Sequence, residues 1–170
     1  MPVTTETTED FEGIVQTGYG LVTGDELVCA CHAAFQLVQN TKNFHYEFVD
    51  LSEATALEFA EEDLDKITTR DRLTATYRPD AIVVIVAPRD DFYELGKIWE
   101  SRVRDLGWAT HVARDRAEGL RWLKENFPRP AAKPDTEMFS HPAAAKQESR
   151  IASRRETVDV GRHAGGGSQS

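Results

Sequence analysis

Cysteine, long apolar runs and basic residues are scarce in this sequence, and each shortage excludes a class of protein. No apolar segment reaches the ~18 residues that a membrane-spanning helix needs, so we expect no membrane span. Two cysteines, Cys29 and Cys31, are too few for a disulfide framework or a structural zinc site. Asp and Glu number 29 against 20 Lys and Arg, and the resulting net charge of −9 in 170 residues argues against a nucleic-acid-binding protein.

Signals for secretion and for common catalytic chemistry are also missing. The segment 1–10 is polar and acidic without an apolar core, so we expect no secretory signal and a cytoplasmic protein. Glycine-rich nucleotide loops, the nucleophile elbow and the His-Glu-x-x-His zinc motif do not occur. Cys29 and Cys31 point ~200° apart on a predicted helix, so they cannot bind one ion together. We therefore expect a non-enzymatic protein without a cofactor, a metal ion or a catalytic residue.

Charge and composition change together near residue 128. Residues 1–127 contain 13 Lys and Arg against 24 Asp and Glu, whereas 128–170 contain 7 against 5. The later segment is rich in proline, alanine and glycine and has few large apolar side chains, so burial cannot offset the entropy that ordering would cost. We expect a folded domain over 11–127, with disorder at 1–10 and 128–170.

Apolar patterning within the expected domain alternates between strand and helix. Strands are predicted at 11–16 and 19–22 (a hairpin or one bent strand), 45–51, 81–87 and 108–113. Helices are predicted at 24–40, 60–77, 92–106 and 116–127. Thr23 and Glu26 form a capping-box pattern before the first helix. This order predicts a compact α/β domain with four to five mostly parallel strands and about four helices.

Four short motifs resemble the SpoIIAA-like (STAS-type) domain family. They are Gly20-Leu-Val-Thr-Gly-Asp-Glu26, Val49-Asp-Leu-Ser52, the strand with its following proline at 81–88, and Glu118-Gly-Leu-Arg-Trp-Leu123. The resemblance covers roughly 11–127, which is almost the whole expected domain, and it implies the STAS/SpoIIAA-like α/β fold.

The resemblance also implies a function, because the best-known members are anti-sigma-factor antagonists. In those proteins a partner kinase phosphorylates a serine in an Asp-Ser-Ser-Gly segment. The corresponding segment here is Leu57-Glu-Phe-Ala60, which lacks the serine and the glycine, and in which Glu58 resembles a permanently charged substitute. Ser52 and Thr55 are the nearest hydroxyls and thus the candidate phosphorylation positions. Members of the wider group have been compared with Sec14-like lipid-binding domains, so ligand binding also stays open.

The candidate partner surface begins where the 45–51 strand is predicted to end. Open α/β sheets bind ligands or partners at the carboxyl ends of their strands. We expect a protein partner, either a kinase or an anti-sigma-type regulator, to contact the 50–62 loop and the following helix. The residues assigned to this surface are Asp50, Ser52, Glu53, Thr55, Leu57, Glu58 and Leu64. Ser52 and Thr55 are alternatively loop or cap residues.

A second acidic segment, Pro88-Arg-Asp-Asp91, follows the 81–87 strand. Clustered with Asp50, its carboxylates would be able to hold Mg²⁺, and Asp50 with Asp90 would form the centre of a carboxylate-based enzyme. The competing interpretation is that Asp90 or Asp91 caps the next helix, with Arg89 as a neutralising neighbour.

The predicted helix at 60–77 has a weak apolar stripe. Leu64 and Ile67 begin the stripe, but Thr68, Asp71 and Thr74 continue it. Either this half of the helix packs poorly or kinks, or it lines a partner surface or a pocket.

Three function classes make different structural demands on this region. A partner-binding domain needs an exposed apolar patch near 57–64. A domain that binds a lipid or another small apolar ligand needs an enclosed pocket under the 60–77 helix. An enzyme needs converging carboxylates with raised pKa values.

Overall fold

The structure, a computed structural model, describes residues 2–10 and 12–127. The tail predicted to be disordered, 128–170, lies outside the described residues. Within the described part, no helix is both long and apolar enough to cross a lipid bilayer.

One sheet of five strands runs through this part of the chain, and the strand order in the sheet follows the chain order. The strands are β1 (Val3–Thr7), β2 (Gly13–Thr23), β3 (Tyr46–Glu58), β4 (Ile82–Val86) and β5 (Ala109–Ala113). β1 is antiparallel to β2, and the remaining neighbours pair in parallel. The predicted α/β fold with a mostly parallel sheet is therefore confirmed.

Three helices cover one face of the sheet and the fourth covers the other. They are α1 (Gly24–Asn40), α2 (Glu61–Tyr77), α3 (Asp90–Val103, followed by a 3₁₀ turn) and α4 (Arg116–Asn126). Because side chains alternate between the faces of a strand, neighbours on β4 pack in different layers. Val83 packs with residues of α1, α2 and α3, whereas Val84 packs with Leu123 of α4.

Local signals place the helix starts. The Thr23 hydroxyl accepts a hydrogen bond of 3.4 Å from the Glu26 N–H, and the Glu26 carboxylate accepts one of 3.0 Å from the Thr23 N–H, which completes the predicted capping box. The prediction that Asp90 or Asp91 caps α3 is wrong. Arg89 occupies the cap position, and both aspartates lie in the first turn, where the helix dipole favours carboxylates.

The expectation of disorder at 1–10 is wrong because β1 forms there. Val3 pairs with Gly18 and Thr7 with Ile14, and the Val3 side chain is buried in the core. Val and Thr occupy four of the five positions of β1, and β-branched residues favour extended backbone. One apolar side chain gives no alternating pattern, so the stabilising contacts come from the partner strand and are invisible in the local sequence.

β2 is one bent strand rather than a hairpin, and β3 is longer than predicted. Register shifts after Thr17 and Gly20 bend β2, as β-bulges do. The second half of β3 continues past the predicted end and pairs with β2 alone, because β4 ends opposite Asp50. The predicted 50–62 loop is therefore mostly strand.

Close packing of α4 on the sheet gives a first testable expectation. A Cβ atom at Gly119 would lie 2.9 Å from Val86 Cγ2 and 3.2 Å from Val84 Cγ1. We expect Gly119→Leu to lower the free energy of unfolding by about 2 kcal/mol through overpacking, measured by urea denaturation. Arg121→Leu is the matched control at an exposed position of the same helix, with an expected change below about 0.5 kcal/mol. Equal effects of the two changes would contradict this packing.

Candidate functional site

A cavity of about 80 Å³, partly open to solvent, lies between the sheet and the three helices on one face. Its walls are mostly apolar and include Leu27 of α1, Leu64 and Ile67 of α2, Phe92 of α3 and Val83 of β4. An engineered apolar cavity of ~150 Å³ binds benzene, so a space of half that size holds a few water molecules or a small organic group. The cavity lies under α2, where the ligand-binding alternative requires a pocket.

One carboxyl group faces this cavity from the sheet. Glu47 lies on the same side of β3 as Val49 and Leu51, and all three line the cavity. Glu47 Oε1 accepts a hydrogen bond of 2.8 Å from Gln16 Nε2 of β2. Gln16 is 1% exposed, so this amide is held inside the protein.

A second carboxyl group faces the same cavity from α2. Asp71 Oδ2 accepts a hydrogen bond of 2.7 Å from Trp99 Nε1 of α3, and Asp71 is 9% exposed. Gln16, Glu47, Asp71 and Trp99 are called the polar cluster below. Residues of four elements, β2, β3, α2 and α3, thus meet around one mostly apolar space.

Burial raises the pKa of both acids in the polar cluster. Desolvation raises the pKa of Glu47 to about 8, and the neighbouring charge of Asp71 contributes to the rise. Desolvation raises the pKa of Asp71 to about 7, against the opposing effect of the Trp99 hydrogen bond. At neutral pH Glu47 is therefore mostly protonated, because the low-dielectric interior disfavours a second negative charge.

Each of these carboxyls has one oxygen that accepts a hydrogen bond from a protein side chain and one that does not, and both residues line the cavity. Among the described residues, no group donates a hydrogen bond to Glu47 Oε2 or Asp71 Oδ1. Neither oxygen is fully buried, so a water molecule or a ligand can reach each of them. An interior oxygen without a donor costs free energy unless water or a ligand supplies one. The arrangement suits a ligand group that donates hydrogen bonds.

Cys31 of α1 lines the cavity as well, whereas Cys29 is exposed. Burial, together with the charges of Asp71 and Glu47, raises the pKa of the Cys31 thiol. The thiol therefore stays protonated and is a poor nucleophile. In the part of the chain described by the structure, no group of three or more His, Cys, Asp and Glu side chains is placed to hold a metal ion.

The structure separates the residues assigned to the partner surface. Ser52, Glu53, Thr55 and Glu58 are exposed along β3. The expectation of an exposed apolar patch near 57–64 is wrong, because Leu64 is buried in the core and Leu57 packs partly buried against it. The first turn of α2 turns its apolar side toward the sheet, which leaves the surface here polar.

Asp50 lies on the α4 side of β3 and is 2% exposed. Its Oδ2 accepts a hydrogen bond of 2.8 Å from Arg116 Nη1, and its Oδ1 accepts one of 3.0 Å from the Ser52 N–H. Asp90 pairs instead with Arg114 at 2.7 Å. Asp50 and Asp90 therefore bind different arginines, and the acidic cluster that a Mg²⁺ site or a carboxylate enzyme would need is not formed by them.

The Asp50–Arg116 pair gives a second testable expectation. Arg116→Gln would leave the buried carboxylate of Asp50 with the Ser52 N–H alone. We expect a loss of about 1.5 kcal/mol in the free energy of unfolding, below the range for fully buried pairs because Arg116 itself is exposed. Arg121→Gln is the control on the same helix. A loss no larger than that of the control would show that the pair contributes nothing to stability.

Sequence reasoning missed Gln16 and Glu47 and noticed Asp71 only as an interruption of the α2 stripe. The signal for Glu47 is its position two residues before Val49 in a strand, which puts an acid on the buried side. The signal for Asp71 is the same kind of conflict, an acid on the apolar face of a helix. Neither signal shows that the two acids share one cavity.

No protein-family model matches the chain, and no curated protein matches it. It is similar to the crystal structure of an uncharacterized protein from the DUF3478 family with a SpoIIAA-like fold, from Shewanella loihica PV-4. The similarity covers 71% of this chain and 91% of that chain at 12% identity, with a TM-score of 0.44. That structure has the fold named by the sequence resemblance, and at this identity the similarity says nothing about function.

Proposed function

We propose that this domain binds a small ligand in the cavity between its sheet and the helices α1, α2 and α3. The observation that carries the proposal is the pair of acids, Glu47 and Asp71, that line a mostly apolar cavity, each with one carboxyl oxygen to which no described residue donates. Ligand sites typically combine apolar walls with a few convergent polar groups. The polar cluster has this composition.

The polar cluster is costly as a purely structural feature. Burial raises the pKa of Glu47 to about 8 and that of Asp71 to about 7, so keeping both acids in the interior at neutral pH costs several kcal/mol, since a tenfold change in proton affinity corresponds to about 1.4 kcal/mol. Apolar residues of similar size at both positions would avoid this cost. A ligand that binds to the two carboxyls would offset this free-energy cost and would explain why the acids are kept in the interior.

Binding without covalent chemistry fits the site better than catalysis. The protonated thiol of Cys31 is a poor nucleophile, and each carboxyl is hydrogen-bonded to a neutral donor, Gln16 or Trp99. These contacts fix the position of the acids rather than activate a nucleophile. We therefore propose a non-enzymatic binding domain.

A panel of four-carbon compounds with different head groups tests this function. We expect at least one of butanol, butyramide, butyrate or butylamine to shift the methyl NMR signals of cavity residues in a saturable way. Val83→Phe, which fills the cavity from β4, should abolish the shifts, and Val15→Phe on the same sheet, packed in the α4 layer, is the control. If no compound shifts the cavity signals at any concentration, the proposed function is wrong.

A second candidate function is binding of a protein partner along β3, favoured by the uneven lengths of the strands. Among the residues that the structure describes, β3 pairs beyond Asp50 with β2 alone, so no described strand lies beside one edge between Ser52 and Glu58. Unpaired strand edges accept extended peptides. A kinase or an anti-sigma-type regulator would bind here, with Ser52 and Thr55 exposed to modification.

Site-specific photo-crosslinking tests the second candidate. A photoreactive residue at Thr55 should crosslink one protein in cells, whereas the same residue at Glu125 on α4 should not. Equal crosslinking from both positions would mark random collision and would count against a partner on β3.

A further inference from the structure

The cavity contains two acids and no base. The titratable groups that line it are Glu47 from β3, Asp71 from α2 and Cys31 from α1, and the other lining residues from β2, β4 and α3 carry no charge. The basic side chains next to Asp71 in sequence make other contacts: the Arg70 guanidinium lies 5.0 Å from the ring centroid of Phe35, and Arg72 pairs with Asp105. The charge of Arg70 opposes the rise in the pKa of Cys31, but Arg70 does not line the cavity. Buried acids are normally paired with a cation.

We propose that the ligand is a short primary alkylamine, bound as its ammonium ion between Glu47 and Asp71. This inference rests on the proposed function and names the class of its ligand. The ammonium ion supplies the positive charge that the lining residues lack.

Hydrogen-bond capacity agrees with an ammonium head group. An ammonium ion has three donors and no acceptor. Gln16 and Trp99 already donate to one oxygen of each acid, so in the ionised acids Glu47 Oε2 and Asp71 Oδ1 are the acceptors left for a ligand. An alcohol has a single donor for these two oxygens, and a carboxylate would be repelled by the ionised acids.

The walls and the volume agree with a short alkyl chain. Leu27, Ile67, Phe92 and Val83 present only hydrocarbon to the ligand. A cavity of about 80 Å³ has room for a chain of a few carbon atoms rather than for a long acyl chain.

Binding of this ligand is coupled to the release of protons. An alkylamine stays protonated below about pH 10, as lysine does. The empty site holds protons on Glu47 and Asp71 near neutral pH, so the ammonium ion displaces up to two protons from the carboxyls into solvent. Affinity therefore rises with pH between pH 6.5 and 8.5. Cys31 stays a neutral thiol over this range and does not contribute.

NMR titration of the full chain with butylamine and butanol tests the ligand class. We expect butylamine to bind at least tenfold more tightly than butanol at pH 8.5, and at least tenfold more tightly at pH 8.5 than at pH 6.5. Glu47→Gln and Asp71→Asn should each weaken butylamine binding at least tenfold and weaken butanol binding far less, because the amide keeps an acceptor oxygen but loses the charge. Glu53→Gln, an exposed acid on the same strand, is the matched control and should change neither.

The other outcomes separate the inference from the proposed function. Tighter binding of butanol or butyrate than of butylamine would overturn the ammonium inference and leave a ligand-binding cavity. Absence of binding by every compound would overturn both. Urea denaturation of each variant confirms that it is folded, and Glu47→Gln should be more stable than the parent at pH 8.5 because it removes a buried charge. If Glu47→Gln is more stable than the parent and still loses butylamine binding, the loss is caused by the missing carboxylate and not by misfolding.

Discussion

The free energy of unfolding should fall by about 4 kcal/mol between pH 6 and pH 8.5, because Glu47 and Asp71 must ionise inside the cavity. Their pKa values in the folded protein are about 8 and about 7, well above those of an unfolded chain. At pH values between the unfolded-state pKa and the folded-state pKa of each acid, the folded state binds more protons than the unfolded state. The free energy of unfolding therefore decreases as pH rises through this range. Glu47 accounts for about 2.6 kcal/mol of this decrease and Asp71 for about 1.4 kcal/mol.

Urea denaturation followed by circular dichroism at several pH values measures this effect. Surface acids do not obscure it, because hydrogen bonds to neighbours lower the pKa of Asp63, Asp91 and Asp105 and place their contributions at acidic pH. The double variant Glu47→Gln with Asp71→Asn should show a nearly flat profile between pH 6 and 8.5. A parent protein with a flat profile would show that the two acids are not desolvated together.

Replacing Trp99 with alanine should lower the free energy of unfolding by about 4 kcal/mol, a large share of the 5–15 kcal/mol typical of small domains. The Trp99 side chain of α3 is 6% exposed, packs in the core that α1, α2 and α3 form with the sheet, and lines the cavity. Its removal also takes away the donor that Asp71 Oδ2 has among the described residues. Lost burial, a larger cavity and an unpaired carboxyl all act in the same direction.

Trp99→Phe separates the hydrogen bond from the volume. The phenyl ring keeps most of the packing and removes the indole N–H, so we expect a smaller loss of about 1–2 kcal/mol at pH 6. The loss should grow at pH 8.5, since an ionised Asp71 needs its donor more than a protonated one. Urea denaturation with circular dichroism detection applies to both variants. If Trp99→Ala costs no more than Trp99→Phe, the indole does not fill the interior as described.

The fold followed from signals that are local in sequence. The capping box at Thr23 and Glu26 started α1 correctly, because cap hydrogen bonds involve residues only three apart. The β-branched run at 81–87 identified the central strand β4, because burial on both faces requires an unbroken apolar segment. The polar β1 and the second half of β3 were missed, because both depend on pairing with β2, which the apolar pattern of either segment does not reveal.

The site depended on relations that no local pattern contains. Asp71 was placed on the buried face of α2 by helical spacing, and Glu47 would follow from strand alternation in the same way. The two acids meet only if α2 packs on the sheet so that Asp71 lies over Glu47. Side-chain packing across the whole core determines that position. The partner-surface prediction at 57–64 went wrong for the same reason, since Leu57 and Leu64 face the core in the folded chain.

A carbon-13 NMR titration of the Glu47 and Asp71 carboxyl groups, with and without butylamine, tests the site most directly. In the empty protein the pair should titrate in two steps with apparent pKa values near 7 and near 8. Butylamine should lower both values, because a bound cation favours the charged carboxylates. Ordinary carboxyl pKa values near 4 in the empty protein would contradict a buried, unpaired pair of acids. Raised values that butylamine leaves unchanged would contradict the ammonium ligand.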